Sequence, residues 1–179
     1  MKQLGLFHGS GGNGDVFWLP YLKKHFEAEG WEVINPDFPN SDKPLLAPWV
    51  STAQESFVMN SETVLVGHSL GCPLIMSLLQ RSDVQIHKAI LVAGLYDNKR
   101  FDHPFLEEYD WDKIKNNCKE FIFIHSTNDP WDCDEQEADL AFGNLGGTKI
   151  VMEDQGHFGS TAKQQEYPEF PLLKKLIEN

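Results

Sequence analysis

Residues 63–73 read TVLVGHSLGCP, an apolar run that ends in a pentapeptide of the form G-x-S-x-G. The apolar run, Thr63–Val66, predicts a buried strand, and the stretch Cys72–Gln80 that follows predicts a helix. G-x-S-x-G between a strand and a helix is typical of the nucleophile elbow, a sharp turn that lifts a serine hydroxyl above a sheet. Pro73 supports the helix, because a first-turn proline gives up an N–H that has no intrahelical partner. The stretch therefore predicts a nucleophile at Ser69.

Similar short apolar runs recur on both sides of this stretch, with amphipathic segments between them. Most of the runs are continuous in Val, Ile, Leu and Phe, which is typical of strands covered on both faces in a parallel sheet. Leu19, Leu22 and Phe26 form the apolar face of a helix that Gly30 is placed to end. The alternation predicts one α/β domain over residues 1–179, doubly wound, with six mainly parallel strands and helices on both faces. The predicted strands are Leu4–Phe7, Val33–Ile34, Thr63–Val66, Ala89–Val92, Phe121–Ile124 and Lys149–Met152.

Composition narrows the classes of function. The chain has 179 residues, of which 41% are hydrophobic, so it can bury a core. Its net charge of −12 disfavours nucleic acid and anionic membranes as partners, and neither a signal peptide nor a membrane span is predicted. The three cysteines, Cys72, Cys118 and Cys133, form no C-x-x-C and indicate reduced thiols in a cytoplasmic protein. We expect no metal site and no cofactor, because no cluster of Cys and His has ligand spacing.

The segment 94–118 interrupts the alternation of strands and helices. It contains Phe101, Phe105, Tyr109 and Trp111 among charged residues. This is long for a connection between two elements, so a small cap over a site is one interpretation. An ordinary crossover helix with apolar anchors is the other.

Two further residues complete a possible catalytic triad. A serine nucleophile needs an imidazole base, and the imidazole needs a carboxylate that holds its tautomer. In an elbow context the expected chain order is Ser, then Asp or Glu, then His. Asp129 follows the fifth predicted strand and His157 follows the sixth, where sites of open α/β sheets lie. The sequence therefore predicts Ser69, Asp129 and His157 as catalytic residues.

The remaining candidates for this chemistry are weaker. His68 lies inside the elbow and cannot be its distant base. His25 and His87 are expected at the surface or in packing, and His103 lies in the segment 94–118. Cys72 is expected to be a small buried residue rather than a nucleophile.

A glycine-rich turn at residues 9–14 allows two interpretations. It matches G-x-G-x-x-G after a strand, with Asp37 further on, which is the outline of a dinucleotide-binding fingerprint. The bulky residues that follow Gly14 argue against that interpretation. In a hydrolase, the same turn can present the backbone N–H of Ser10, which together with the N–H of Leu70 would form an oxyanion hole.

With these motifs, the sequence resembles the small serine hydrolases grouped with retinoblastoma-binding protein 9 and the YdeN-like proteins. The stretches that carry the resemblance, which covers essentially the whole chain, are 66–69, 111–118, 126–130 and 156–158. The resemblance implies the minimal α/β-hydrolase fold, a three-layer sandwich, with Ser69, Asp129 and His157 as nucleophile, base-orienting acid and base. It also implies little or no lid and a small ester or amide as substrate.

The resulting hypothesis is a serine hydrolase that cleaves small carboxylic esters through an acyl-enzyme. An amidase or aminopeptidase-like activity is the alternative among enzymes. A binding module with a vestigial triad and a dinucleotide binder are alternatives from other classes. The sequence leaves the oligomeric state open.

Overall fold

The computed structural model describes residues 1–179, and its core is a sheet of six strands that are all parallel. In space the strands follow the order 2-1-3-4-5-6 of their numbers along the chain. Every strand predicted from the sequence is present, and helices separate them along the chain. The elements are β1 (Gln3–Phe7), α1 (Leu19–Ala28), β2 (Glu32–Ile34), α2 (Leu46–Ser56), β3 (Thr63–His68), α3 (Gly71–Arg81), β4 (Ile86–Val92), α4 (Trp111–Asn116), β5 (Cys118–Ser126), α5 (Glu135–Leu145), β6 (Thr148–Met152) and α6 (Pro171–Glu178).

The central strands extend further than their apolar runs. β3 continues through Gly67 and His68, which pair with Phe7 of β1 and Val92 of β4. β5 continues to Ser126. Polar residues belong to these strand ends because pairing satisfies their backbone groups whatever their side chains are. The functional loops therefore begin two residues later than the apolar pattern indicates.

The helices cover the sheet much as their periodicity predicts. Leu19, Leu22 and Phe26 are the buried residues of α1, and Gly30 follows its end with a φ of +80°. Nine of the eleven residues of α3 are buried, so this helix lies deep in the fold directly after the elbow. None of the helices has the length and hydropathy that a membrane crossing requires.

The segment 94–118 is irregular apart from α4 and is fastened to the body of the protein. Phe105 is fully buried and packs edge-on against Trp49, with ring centroids 4.9 Å apart. The buried carboxylate of Glu137 accepts hydrogen bonds from the backbone N–H of Tyr96, at 2.6 Å, and of Asp97, at 3.1 Å. Buried side chains and hydrogen bonds thus anchor the segment to the rest of the protein, and both interpretations of it, a small cap and an ordinary crossover, stay predictions.

Candidate active site

The three predicted catalytic residues lie at one edge of the sheet. Ser69 follows β3, Asp129 follows β5 and His157 follows β6. Because all six strands are parallel, their carboxyl ends meet at the same edge, where ligands of open α/β sheets bind. Ser69 and His157 line one cavity there, with a volume of about 460 Å³.

Ser69 lies on a strained turn between β3 and α3. Its φ is +54°, a left-handed conformation that non-glycine residues rarely adopt. A Cβ at Gly67 would lie 2.6 Å from the backbone carbon of Gly71, and a Cβ at Gly71 would collide with the carbonyl oxygen of Phe7. Both flanking positions therefore require glycine, as expected for an elbow, and the N-terminus of α3 lies directly beyond the serine.

The imidazole of His157 is held by Asp129. Its Nδ1 lies 2.7 Å from Oδ2 of Asp129, whose side chain is 0% exposed. The other carboxylate oxygen, Oδ1, accepts the backbone N–H of Trp131 at 2.9 Å. Both oxygens of the buried carboxylate thus have a donor, and the Nδ1–H tautomer leaves the other ring nitrogen of His157 free to accept a proton.

A small network of hydrogen bonds joins the loop after β5 to the loop after β6. Asn128 Oδ1 accepts the N–H of Gly156 at 2.7 Å and the hydroxyl of Ser126 at 2.9 Å. The Ser126 oxygen in turn accepts the N–H of Gln155 at 2.9 Å. These bonds keep the Asp129 loop and the His157 loop together, so the residues SxN before the aspartate have a positioning role that sequence reasoning did not assign.

Two more residues support His157, and neither was predicted from the sequence to do so. Gln165 Oε1 accepts the backbone N–H of His157 at 3.0 Å, and its amide donates to the Gln155 carbonyl at 2.7 Å. The His68 ring lies 2.7 Å from the His157 carbonyl through Nε2, which therefore donates. The only signal for His68 in the sequence is a polar residue at the end of a buried strand. Gln165 has none, because it lies in an irregular segment.

Two backbone N–H groups beside Ser69 are free to donate. The N–H groups of Ser10 and Leu70 make no hydrogen bond within the protein, and both residues line the cavity. A Cβ at Gly9 would lie 2.7 Å from the Cβ of Ser69, so the first turn passes the serine as closely as only glycine allows. The arrangement can supply two donors to an oxygen that becomes negatively charged during a reaction.

His8 determines how this turn is oriented. Its Nε2 accepts the N–H of Phe38 at 3.0 Å, so Nδ1 carries the proton and donates to the Gly9 carbonyl at 2.8 Å. The Gly9 carbonyl and the Ser10 N–H belong to one trans peptide and point in opposite directions. Holding the carbonyl therefore also fixes the direction of the Ser10 N–H.

The same turn lacks the features that a dinucleotide requires. The N–H of Gly14 donates to the Asp37 carboxylate at 2.7 Å, and Asn35 donates to the Gly14 carbonyl at 2.7 Å. Asp37 is thus engaged with the turn, and α1 begins only at Leu19, so no helix N-terminus is available for a pyrophosphate. The geometry disfavours the dinucleotide alternative.

The cavity has a mixed lining of apolar and polar side chains. Trp131 lines the cavity, whereas Trp18, Trp49 and Phe158 are fully buried in the core. His103 also contributes to the wall, so the segment 94–118 does border the site. Other lining residues are Val16, Phe17, Asp42, Leu95, Phe101 and Cys133.

Each cysteine is a buried, unpaired thiol. Burial raises the pKa of Cys72, and burial followed by the charge of Asp129 raises the pKa of Cys133. Both groups are therefore protonated at neutral pH. Cys72, three residues after Ser69, is the inert buried residue that its position predicts.

Three buried histidines make the stability of the fold depend on pH. Burial lowers the pKa of His68 to about 3 and is the main cause of the lowered pKa values of His8 and His125. In the unfolded chain the same histidines take up protons near the ordinary pKa of about 6.5. Below that pH the unfolded state binds more protons than the folded state, so stability decreases as pH falls.

We expect the free energy of unfolding to decrease steeply from about pH 7 to about pH 5. His68, whose pKa lies near 3, contributes up to about 1.4 kcal/mol per pH unit over this range. The lowered pKa values of His8 and His125 add to the slope in the same direction. Urea unfolding followed by tryptophan fluorescence at several pH values measures this slope. A free energy of unfolding that stays constant over this range would contradict the prediction.

Comparisons with known proteins agree with this architecture. A strand–elbow–helix at the centre of a parallel sheet defines the class, an enzyme of the α/β-hydrolase fold. The family model described as "Serine hydrolase" matches residues 4–175, and the chain belongs to this family. YdeN of Bacillus subtilis (strain 168) is 29% identical over 168 residues, which cover 87% of this chain and 88% of YdeN.

A second relative supports the family, and a solved structure supports the fold. Serine hydrolase RBBP9 of Rattus norvegicus is 27% identical over 165 residues, which cover 86% of this chain and 85% of that protein. The crystal structure of the ydeN gene product from B. subtilis superimposes with a TM-score of 0.88 at 24% identity, covering 99% of this chain and 97% of that one. The expected α/β-hydrolase fold and the expected hydrolase class of enzyme are thereby confirmed.

Proposed function

We propose that the protein cleaves small carboxylic esters with Ser69 as nucleophile, His157 as base and Asp129 as the acid that orients the base. The observation that carries the proposal is the 2.7 Å contact between His157 Nδ1 and the buried Asp129 carboxylate, at the cavity that the strained Ser69 also lines. This is the arrangement of roles in a serine hydrolase triad. The family membership supports the class of reaction.

The reaction then follows the acyl-enzyme route. His157 accepts the proton of the Ser69 hydroxyl as the oxygen bonds to the acyl carbon, and the N–H groups of Leu70 and Ser10 stabilise the resulting oxyanion. His157 next gives the proton to the departing alkoxide, which leaves as an alcohol. In the second half of the reaction, His157 accepts a proton from a water molecule as the water oxygen bonds to the acyl carbon. His157 then returns the proton to Ser69, and the carboxylic acid is released.

The cavity limits the substrate. A volume of about 460 Å³ suits a small molecule rather than a long chain. Apolar walls at Val16, Leu95 and Phe101 favour an uncharged acyl or alcohol group, and the Asp42 carboxylate at the rim disfavours an anionic one. We assign the activity to the cytoplasm, because free thiols are typical of a reducing compartment.

The amidase alternative calls for a direct comparison. An ester and an amide that carry the same acyl group differ only in the leaving group, so their kcat/KM ratio separates the two activities. A larger kcat/KM for the ester supports the proposal, and a larger value for the amide supports an amidase.

We expect a fluorophosphonate probe to form one adduct, on Ser69, because only an activated serine reacts readily with such a reagent. Intact-mass analysis and mapping of the modified peptide measure this. An adduct on Ser10 or Ser126 would mean that the nucleophile is assigned to the wrong residue. Folded protein that is not labelled at neutral pH would favour a binding module with a vestigial triad.

A further inference from the structure

Three side chains with metal-binding atoms meet beside the candidate active site. One carboxylate oxygen of Asp129, Sγ of Cys133 and one ring nitrogen of His157 lie within 4.8 Å of one another. Carboxylate, thiolate and imidazole are all ligands of Zn²⁺, and a set that includes sulfur and nitrogen selects Zn²⁺ over Mg²⁺ or Ca²⁺. Cys133 has no part in the proposed reaction, and its buried thiol lies at the wall of the active-site cavity.

The cluster lies at the wall of the active-site cavity and carries a negative charge. Cys133 and His157 both line the active-site cavity, although Cys133 is only 2% exposed. The Asp129 carboxylate supplies a negative charge within the cluster, and the protein as a whole has a net charge of −12. The Cys133 thiol makes one weak contact, 3.8 Å to the Trp131 carbonyl, so it gives up little when it turns toward a metal.

We propose that Asp129, Cys133 and His157 form an inhibitory binding site for Zn²⁺. On binding, the Cys133 thiol loses its proton to solvent, and its sulfur, a His157 nitrogen and an Asp129 oxygen donate to the ion, with water as fourth ligand. Donor atoms of a tetrahedral Zn²⁺ lie about 3.3–3.8 Å apart. The ligand atoms here lie within 4.8 Å of one another, and His157 Nδ1 and Asp129 Oδ2 are only 2.7 Å apart. On binding, the Cys133 sulfur therefore approaches by up to about 1 Å and the hydrogen bond between the imidazole and the carboxylate opens.

Occupancy of this site removes the base. A neutral imidazole has a single lone pair on one nitrogen and a proton on the other. If the nitrogen nearer to Ser69 binds the ion, its lone pair is used. If Nδ1 binds the ion, the ring proton moves to the nitrogen nearer to Ser69, and that nitrogen can no longer accept the Ser69 proton. Either way His157 cannot take the Ser69 proton. This inhibition rests on the proposed function, whereas binding of the metal does not.

Inhibition by Zn²⁺ is the first test. Chelator-treated protein is assayed with an ester substrate over a ZnCl₂ series, and each variant is normalised to its own metal-free rate. We expect wild-type activity to be lost reversibly and Cys133→Ala to need at least about tenfold more Zn²⁺, since even indirect supporting groups contribute about 10–100-fold to metal affinity. Cys118→Ala, a buried thiol at the opposite end of β5, is the matched control and should keep wild-type sensitivity.

Cobalt provides a readout that does not depend on catalysis. Co²⁺ bound through sulfur gives a near-ultraviolet thiolate-to-metal absorption, which we expect for wild type and Cys118→Ala and not for Cys133→Ala. This absorption in a protein without esterase activity would support the metal site and reject only the proposed function. Wild-type protein without it, or a folded Cys133→Ala as sensitive to Zn²⁺ as wild type, would overturn the proposal.

Discussion

Ester turnover by Ser69→Ala is expected to fall by about 10⁶-fold, the scale on which loss of the nucleophile acts in serine hydrolases. The nucleophile and the base act as one unit, so a combined Ser69→Ala, His157→Ala variant should lose little more than either single variant. Alanine is also smaller than serine at this strained position, so the elbow should remain folded. Measured kcat and thermal unfolding of each variant test both statements.

Ser10→Ala is the matched control for the nucleophile. Ser10 lies in the same cavity, and its hydroxyl donates to the Ser41 carbonyl at 3.0 Å. The substitution removes this hydroxyl and keeps the backbone N–H that the proposal uses, so turnover should fall by less than about tenfold. If Ser10→Ala shows the large loss and Ser69→Ala the small one, the assignment of the nucleophile is wrong.

Asp129→Asn is expected to fold normally and to lose about 10⁴-fold in turnover, the scale seen when a triad acid no longer fixes the tautomer of its histidine. The carboxylate accepts from His157 Nδ1 at 2.7 Å. An asparagine amide can donate to that nitrogen instead, which would move the ring proton to the nitrogen that must accept from Ser69. Steady-state kinetics measure the loss, and the unfolding midpoint verifies that the variant is folded.

Two nearby acids serve as controls for this assignment. Asp132→Asn and Asp134→Asn should each change turnover by less than about tenfold. Asp134 accepts the N–H of Gln136 as the N-cap of α5 and pairs with Arg100 at 2.8 Å, and asparagine keeps the cap while it weakens the ion pair. A large loss for Asp132→Asn together with a small one for Asp129→Asn would reject Asp129 as the acid.

Most strands and helices could be predicted because they depend on the pattern of apolar and polar residues in a short stretch of sequence. Continuous apolar runs indicated the strands, and an apolar face ended by Gly30 indicated α1. Strand ends were predicted less well, because pairing with neighbouring strands extends β3 and β5 through polar residues such as His68 and Ser126. Hydropathy carries no information about those ladder bonds.

The sequence by itself determined the elbow at Ser69, the order of the three predicted catalytic residues and their positions after parallel strands, since a short motif and strand periodicity depend on neighbouring residues only. Only the tertiary structure shows that the Asp129 carboxylate lies 2.7 Å from His157 Nδ1, that Gln165 holds the His157 backbone and that Cys133 lies close to Asp129 and His157. These contacts join segments whose distances depend on how the loops after β5 and β6 close against each other. Such distances arise from packing and hydrogen bonds between residues far apart in the chain, and no local pattern encodes them.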